Sequence, residues 1–267
     1  MPDSLAATRV GAPSASSSLV MLHGMYGRGR NWQPIARGLT EVRPEYACWL
    51  VDLPHHGDST AGRHEQTVTG LAGDVLEWMK AEGIEPDAVL GHSFGGKVAL
   101  AIAGEGGRPG LHVWIVDSTP AGQTPSGSAW DMLQTIRSLP ARFASREEFV
   151  AAMTAAGWAP AVSQWMATNL VREGDGFNWR LDFAVMERLL DSFFTTDLWH
   201  VVDTAAAAGQ VFHFIKATAS GTMTAKDVAR AESLPRDRVI IHLIEGGHWI
   251  HAEKPQAVVD LLAEHLP

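Results

Sequence analysis

The chain has one cysteine, Cys48, in 267 residues, so no disulfide can close within it. Cys48 lies in the apolar run Tyr46-Ala47-Cys48-Trp49-Leu50-Val51, which predicts a packed thiol in a reducing, cytoplasmic setting. Basic residues are also scarce. The 21 Lys and Arg against 30 Asp and Glu leave a net charge of −9, which argues against nucleic acid and against anionic membranes as partners. Nowhere do about 18 consecutive apolar residues occur, so no spanning helix is expected. Residues 1–18 have neither a basic start nor an apolar core of signal-peptide length, and their Ala, Ser, Gly and Pro content predicts an edge hairpin or a loose arm. There is no internal repeat. What is present is ample apolar material: 46% hydrophobic residues against 19% charged ones, enough for one large domain to bury a full core.

Apolar runs near 18–22, 46–51, 87–91, 111–116, 211–216 and 238–244 read as strands. They alternate with helical patterns near 31–39, 66–82, 94–104, 222–232 and 254–265. That alternation predicts an α/β fold, a mostly parallel central sheet flanked by helices, with ligands at the C-terminal ends of the strands. Between Asp117 and Val211, roughly ninety residues show helical patterning and no convincing strand, too many for a simple connection. The expectation is a helical cap over 121–204 inserted into a core of 1–120 and 205–267. Gly174-Asp175-Gly176 reads as a turn between two cap helices, and the neighbouring Arg172, Glu173 and Arg180 as solvated. Five of the ten tryptophans fall in the cap. Most of its aromatics are expected to build its own core and a minority to line an apolar acyl pocket, with Trp158, Trp165, Met166, Phe194 and Trp249 as the substrate-binding candidates.

The chemistry centres on Gly91-His92-Ser93-Phe94-Gly95-Gly96, which joins the strand Ala88-Val89-Leu90 to a helix beginning near Phe94. A serine on so sharp a turn is strained and exposed at a helix N-terminus, and small residues around it let the chain fold back. Ser93 is therefore the candidate nucleophile. A base is expected on a loop after a late strand, and Glu245-Gly246-Gly247-His248-Trp249 supplies it in His248, with His251 as the weaker rival. No carboxylate lies in 217–224 after the penultimate strand, and Asp227 falls inside a predicted helix. Asp117, at the end of the strand 111–116, is therefore the candidate acid. The amides of Met25 and Phe94 are the candidate oxyanion donors, with Gly24 allowing close approach and His23 pinning the loop. The pair His55 and His56 has no further ligand at a recognisable spacing, so no metal is expected. Lys97 is a helix position behind the turn.

Together these pieces resemble the alpha/beta-hydrolase superfamily from Leu19 to Leu266. Within it the chain resembles the YbfF-like bacterial esterases, through Gly91-His92-Ser93-Phe94-Gly95-Gly96-Lys97 and Gly246-Gly247-His248-Trp249-Ile250-His251-Ala252-Glu253-Lys254-Pro255. The resemblance implies that Asp52 and His56, in Val51-Asp52-Leu53-Pro54-His55-His56-Gly57-Asp58-Ser59, shape a loop beneath the site. It also implies an acid after the strand that follows the nucleophile, in agreement with Asp117. Ala217-Thr218 departs from the glycine-rich turn usual there.

The expected activity is hydrolysis of a small-molecule acyl ester or thioester through an acyl-enzyme, with no cofactor, in a monomer or homodimer. A serine in place of a carboxylate nucleophile argues against epoxide hydrolase and dehalogenase chemistry. Carbon–carbon bond hydrolysis or elimination on the same scaffold is the main alternative. A cofactor-free perhydrolase and a non-catalytic ligand-binding protein are the others.

Overall fold

The computed structural model describes residues 5–267; the first four residues of the expected N-terminal arm lie outside the described residues. The chain opens with β1 (Ala7–Val10), β2 (Ser17–Leu22), α1 (Gln33–Val42), β3 (Tyr46–Val51), α2 (Val68–Ala81), β4 (Ala88–His92), α3 (Phe94–Gly106) and β5 (His112–Val116). A long insertion follows, with α4 (Ser128–Ser138), β6 (Arg142–Phe143), α5 (Arg146–Ala155), α6 (Pro160–Met166), β7 (Leu170–Glu173), β8 (Gly176–Trp179), α7 (Phe183–Thr195) and α8 (Trp199–Ala207). It closes with β9 (Val211–Ala217), α9 (Ala225–Glu232), β10 (Val239–Ile244), α10 (Ile250–Glu253) and α11 (Pro255–His265).

Seven strands form one sheet in the order β1-β3-β2-β4-β5-β9-β10. Only β1 runs antiparallel, on the edge beside β3, so part of the expected arm is an edge strand. The interior strands read as continuous apolar runs because both faces are covered. In β2, Leu19 and Met21 join Ile35, Leu39 and Val258 on one face, while Val20 and Leu22 join Leu71, Val75 and Val98 on the other. That is the period-two alternation of a strand, and each such side chain adds about 1.5–3 kcal/mol by leaving water. Register then positions the chemistry. Gly91 and His92 lie opposite Ile115 and Val116, so Ser93 and Asp117 emerge side by side at the C-terminal edge of the sheet.

Polar groups are also built into the sheet. His112 Nδ1 lies 3.1 Å from His213 Nε2, and His213 Nδ1 lies 3.1 Å from His242 Nε2, so three imidazoles bond in a row across β5, β9 and β10. The Trp114 ring stacks on His213 at 3.9 Å.

The insertion differs from the all-helical reading. Strands β6, β8 and β7 form a small antiparallel sheet, and Gly174 and Asp175 turn between the two strands of a hairpin. These strands have two to four residues, too few for an alternating pattern to emerge from sequence. Arg180, expected to be solvated, donates from Nη1 to the Gly57 carbonyl and to Asp58, tying the insertion to the loop after β3. The expected boundary at 204 cuts α8, which packs on α3 as part of the core layer; a Cβ at Gly104 would lie 2.9 Å from a Val201 methyl.

Candidate active site

Ser93 sits between β4 and α3 with φ 51° and ψ −115°, a conformation that L-residues adopt only under strain. The fold-back is possible because two neighbours lack side chains. A Cβ at Gly91 would lie 2.0 Å from the Gly95 carbonyl oxygen, and one at Gly95 would lie 2.4 Å from the His23 carbonyl oxygen. Both obstacles are main chain and cannot step aside. Gly95→Ala should therefore lower stability by about 3 kcal/mol, read as a drop in the urea midpoint; an unchanged midpoint would show that α3 can slide away from the His23 loop. Tyr26 and Asp117 also have positive φ, 62° and 45°, so strained residues cluster around Ser93.

His248 reaches this point from the loop after β10. Its Nε2 lies 3.1 Å from Ser93 Oγ and its Nδ1 lies 2.6 Å from Asp117 Oδ2. Asp117 is 1% exposed, and its Oδ1 accepts the Ala217 N–H at 3.1 Å. A carboxylate accepts, so Nδ1 carries the proton and the Nε2 lone pair faces the serine hydroxyl. The arrangement is chemically able to draw a proton from Ser93 Oγ while the imidazolium is stabilised from behind.

Asp227 lies elsewhere: it forms a capping box at the start of α9, accepting from Thr224 N at 2.9 Å and Thr224 Oγ1 at 2.7 Å. His251 packs its ring against His92 at 4.1 Å and against Trp32 at 5.0 Å, and its Nδ1 has no partner among the described residues.

Two partners of His248 are not signalled in the sequence. Thr222 Oγ1 lies 3.3 Å from Nδ1 and accepts a share of its proton, so the loop that lacks a carboxylate supplies a hydroxyl instead. His92 donates from Nε2 to the His248 carbonyl at 2.8 Å. Burial, with the neighbouring His251 and His248, keeps His92 neutral by holding it well below the ordinary histidine range.

The loop after β2 faces Ser93. His23 donates from Nδ1 to Gly24 O at 2.8 Å and accepts the Leu53 N–H at 3.0 Å on Nε2. Burial lowers its pKa to about 4, so it pins the loop as a neutral ring. The amides of Met25 and Phe94 have no hydrogen-bond acceptor among the described residues. Tyr26 ties this loop to the insertion: its Oη donates to Ala129 O at 2.8 Å and its main-chain carbonyl accepts from Asn169 Nδ2 at 2.9 Å. Below, Asp52 accepts from Gly29 N at 2.6 Å and Asp58 N at 2.7 Å, and His56 donates from Nδ1 to Pro54 O at 2.9 Å. No group of three or more His, Cys, Asp or Glu among the described residues is placed to hold a metal.

A cavity of about 490 Å³ opens onto Ser93 and His248. Met25, Met132, Val162, Trp165 and Trp249 give it an apolar lining, and the Trp165 and Trp249 rings lie 6.1 Å apart. Among the described residues that line it, Glu253 is the one carboxylate, accepting the Gly247 N–H at 2.8 Å, and there is no lysine or arginine.

Three substrate-binding candidates need correction, because Trp158, Met166 and Phe194 do not line the cavity. On α6, Val162 and Trp165 face the cavity while Ser163 and Met166, one position on, face the interior. Trp158 donates to Thr135 Oγ1 at 3.1 Å, and Phe194 packs edge-on against Phe193 at 5.2 Å.

Comparison with known proteins agrees with this architecture. A family model described as "Alpha/beta hydrolase family" matches residues 19–261. An sn-1-specific diacylglycerol lipase of Mus musculus is 24% identical over 260 residues, 93% of this chain and 80% of that protein. A 2-succinyl-6-hydroxy-2,4-cyclohexadiene-1-carboxylate synthase of Yersinia enterocolitica is 36% identical over 102 residues, 37% of this chain and 34% of that one. The solved structure of a marine microorganism esterase superposes with a TM-score of 0.81 at 21% identity, covering 98% of this chain and 99% of that one.

Proposed function

Because the chain belongs to the alpha/beta hydrolase family, we propose that it hydrolyses uncharged carboxylic esters or thioesters through an acyl-enzyme on Ser93. The observation that carries the proposal is His248, 3.1 Å from Ser93 Oγ and 2.6 Å from the buried Asp117. His248 takes the Ser93 proton as Oγ bonds to the acyl carbon, and the amides of Met25 and Phe94 bind the oxyanion. Collapse breaks the bond to the leaving alcohol or thiol, which takes the proton from His248. A water then gives its proton to His248, attacks the acyl carbon and releases the acid, and the proton returns to Ser93. In this reading the YbfF-like resemblance describes the activity as well as the motifs.

The lining favours one of the relatives' substrate classes over the other. The synthase, by its name, forms a succinyl-bearing carboxylate, so an anionic group occupies its site, whereas a diacylglycerol is uncharged. A carboxylate carried into this cavity would be desolvated with no cation to meet it and with Glu253 nearby. The uncharged ester is therefore favoured over the carbon–carbon bond chemistry of an anionic substrate.

The test is a fluorophosphonate probe followed by peptide mass spectrometry, with p-nitrophenyl butyrate and p-nitrophenyl hemisuccinate compared as substrates. One stoichiometric adduct on Ser93, absent in Ser93→Ala, is expected. Butyrate should be favoured over hemisuccinate in kcat/KM by about a hundredfold. No adduct, or a preference for hemisuccinate, would overturn the reading.

A further inference from the structure

Lys97 is 0% exposed, one helical turn after Ser93 on α3. Its three N–H bonds are all taken by main-chain carbonyls: Ala121 at 2.8 Å, Phe193 at 2.6 Å and Thr196 at 3.0 Å. Its Nζ also lies 4.5 Å from the centre of the Phe193 ring. These acceptors sit where the insertion leaves the sheet and where α7 ends. The two connections also bond to each other, Gln123 N to Phe194 O at 2.7 Å and Leu198 N to Pro120 O at 2.8 Å. The last turn of a helix leaves carbonyls unpaired and carries the negative end of its dipole, so a cation is well placed there. One ammonium thus joins the helix that begins at Ser93 to both feet of the segment that roofs the cavity.

We propose that Lys97 is a positioning residue that fixes the inserted segment over Ser93 and thereby determines how well the cavity holds a long acyl chain. The proposal rests on the acyl-ester reading above. Met132, Val162 and Trp165 lie on the inserted segment, so tilting it changes the walls around an acyl chain and leaves Ser93, His248 and Asp117 in place. A short acyl group touches little of that wall. Desolvation lowers the Lys97 pKa to about 8 against the opposing pull of Asp197 and Asp227, the charged groups that face it. Carboxylates do not titrate near there, so a rise from about pH 7 to about pH 9 weakens this pin through Lys97 itself.

The experiment compares wild type with Lys97→Met on p-nitrophenyl acetate and p-nitrophenyl octanoate, together with amide hydrogen exchange. Methionine fills the volume without the charge. The variant should keep kcat on acetate within about threefold and raise KM for octanoate about tenfold. Exchange should quicken at residues 121–123 and 194–198. Wild type should show the same rise in KM for octanoate between about pH 7 and about pH 9, and the variant should not. Equal losses on both esters, or unchanged KM with unchanged exchange, would overturn the proposal. If Lys97→Met fails to fold, the pH comparison on wild type decides. If wild type cleaves neither ester, the acyl-ester reading has failed separately, and exchange confined to those two segments still tests the pin.

Discussion

Asp117→Asn should lower kcat/KM for a neutral ester by about ten-thousand-fold, while Asp227→Asn leaves it nearly unchanged. The magnitude follows from the tautomer. In the native site Oδ1 accepts the Ala217 N–H and Oδ2 accepts the His248 Nδ1–H. An asparagine has one oxygen, and the fixed Ala217 donor retains it, so the amide NH₂ turns toward Nδ1. That nitrogen must then accept, the imidazole proton moves to Nε2, and a donor faces Ser93 Oγ where an acceptor is required. Asp227→Asn still accepts from Thr224 through its oxygen, so the capping box survives in large part. Steady-state kinetics on the two purified variants checks this. A large loss in Asp227→Asn and a small one in Asp117→Asn would remove Asp117 from the mechanism.

The contrast between these two aspartates shows which parts of the site are legible in sequence. Ser93 stands out because its signal is local: the strand before it, the helix after it and the glycines that allow the turn are all within a few residues. His248 follows from the same logic, and the mostly parallel sheet follows from apolar runs that alternate with helical patterns. Asp117 stands out by its place at the end of the strand 111–116 and by elimination, since the loop 217–224 has no carboxylate. The substitute in that loop, Thr222 Oγ1, is invisible because a threonine in a polar loop has many ordinary uses.

Lys97 is illegible for a different reason. Its carbonyl partners lie 24, 96 and 99 residues away, and main-chain acceptors leave no mark on residue type. The cavity lining shows the limit of pattern on a short helix. On α6 a rotation of one residue exchanges Trp165 for Met166, and both are large and apolar. The family match, residues 19–261, spans the insertion and the sheet apart from its edge strand β1, yet selection of a substrate resides in side-chain choices such as the absence of Arg and Lys among the described residues that line the cavity.

Acidification should unfold this protein well before its carboxylates titrate. Four deeply buried histidines have lowered pKa values in the folded state, chiefly through burial: His23 at about 4, His56 at about 3, His213 at about 2 and His92 well below its ordinary value. In the unfolded chain each returns to about 6.5, so between the two values the unfolded state binds more protons. The stability these rings contribute is therefore complete above about pH 6.5 and is lost as the pH falls toward their folded-state values. At pH 5 each ring forfeits about 2 kcal/mol, and the four together approach the ~5–15 kcal/mol total of an ordinary domain. Asp and Glu titrate near 4, so the window from about 6.5 to 5 belongs to histidine. Urea unfolding followed by tryptophan fluorescence should show stability falling steeply across that window. His56→Asn, which keeps a donor for Pro54 O and cannot take up a proton, should make the fall shallower by about one ring's share. A stability that stays flat from pH 7 to about 5 would mean that the buried imidazoles find water or an anion when protonated, and the account of them as neutral packing groups would fail.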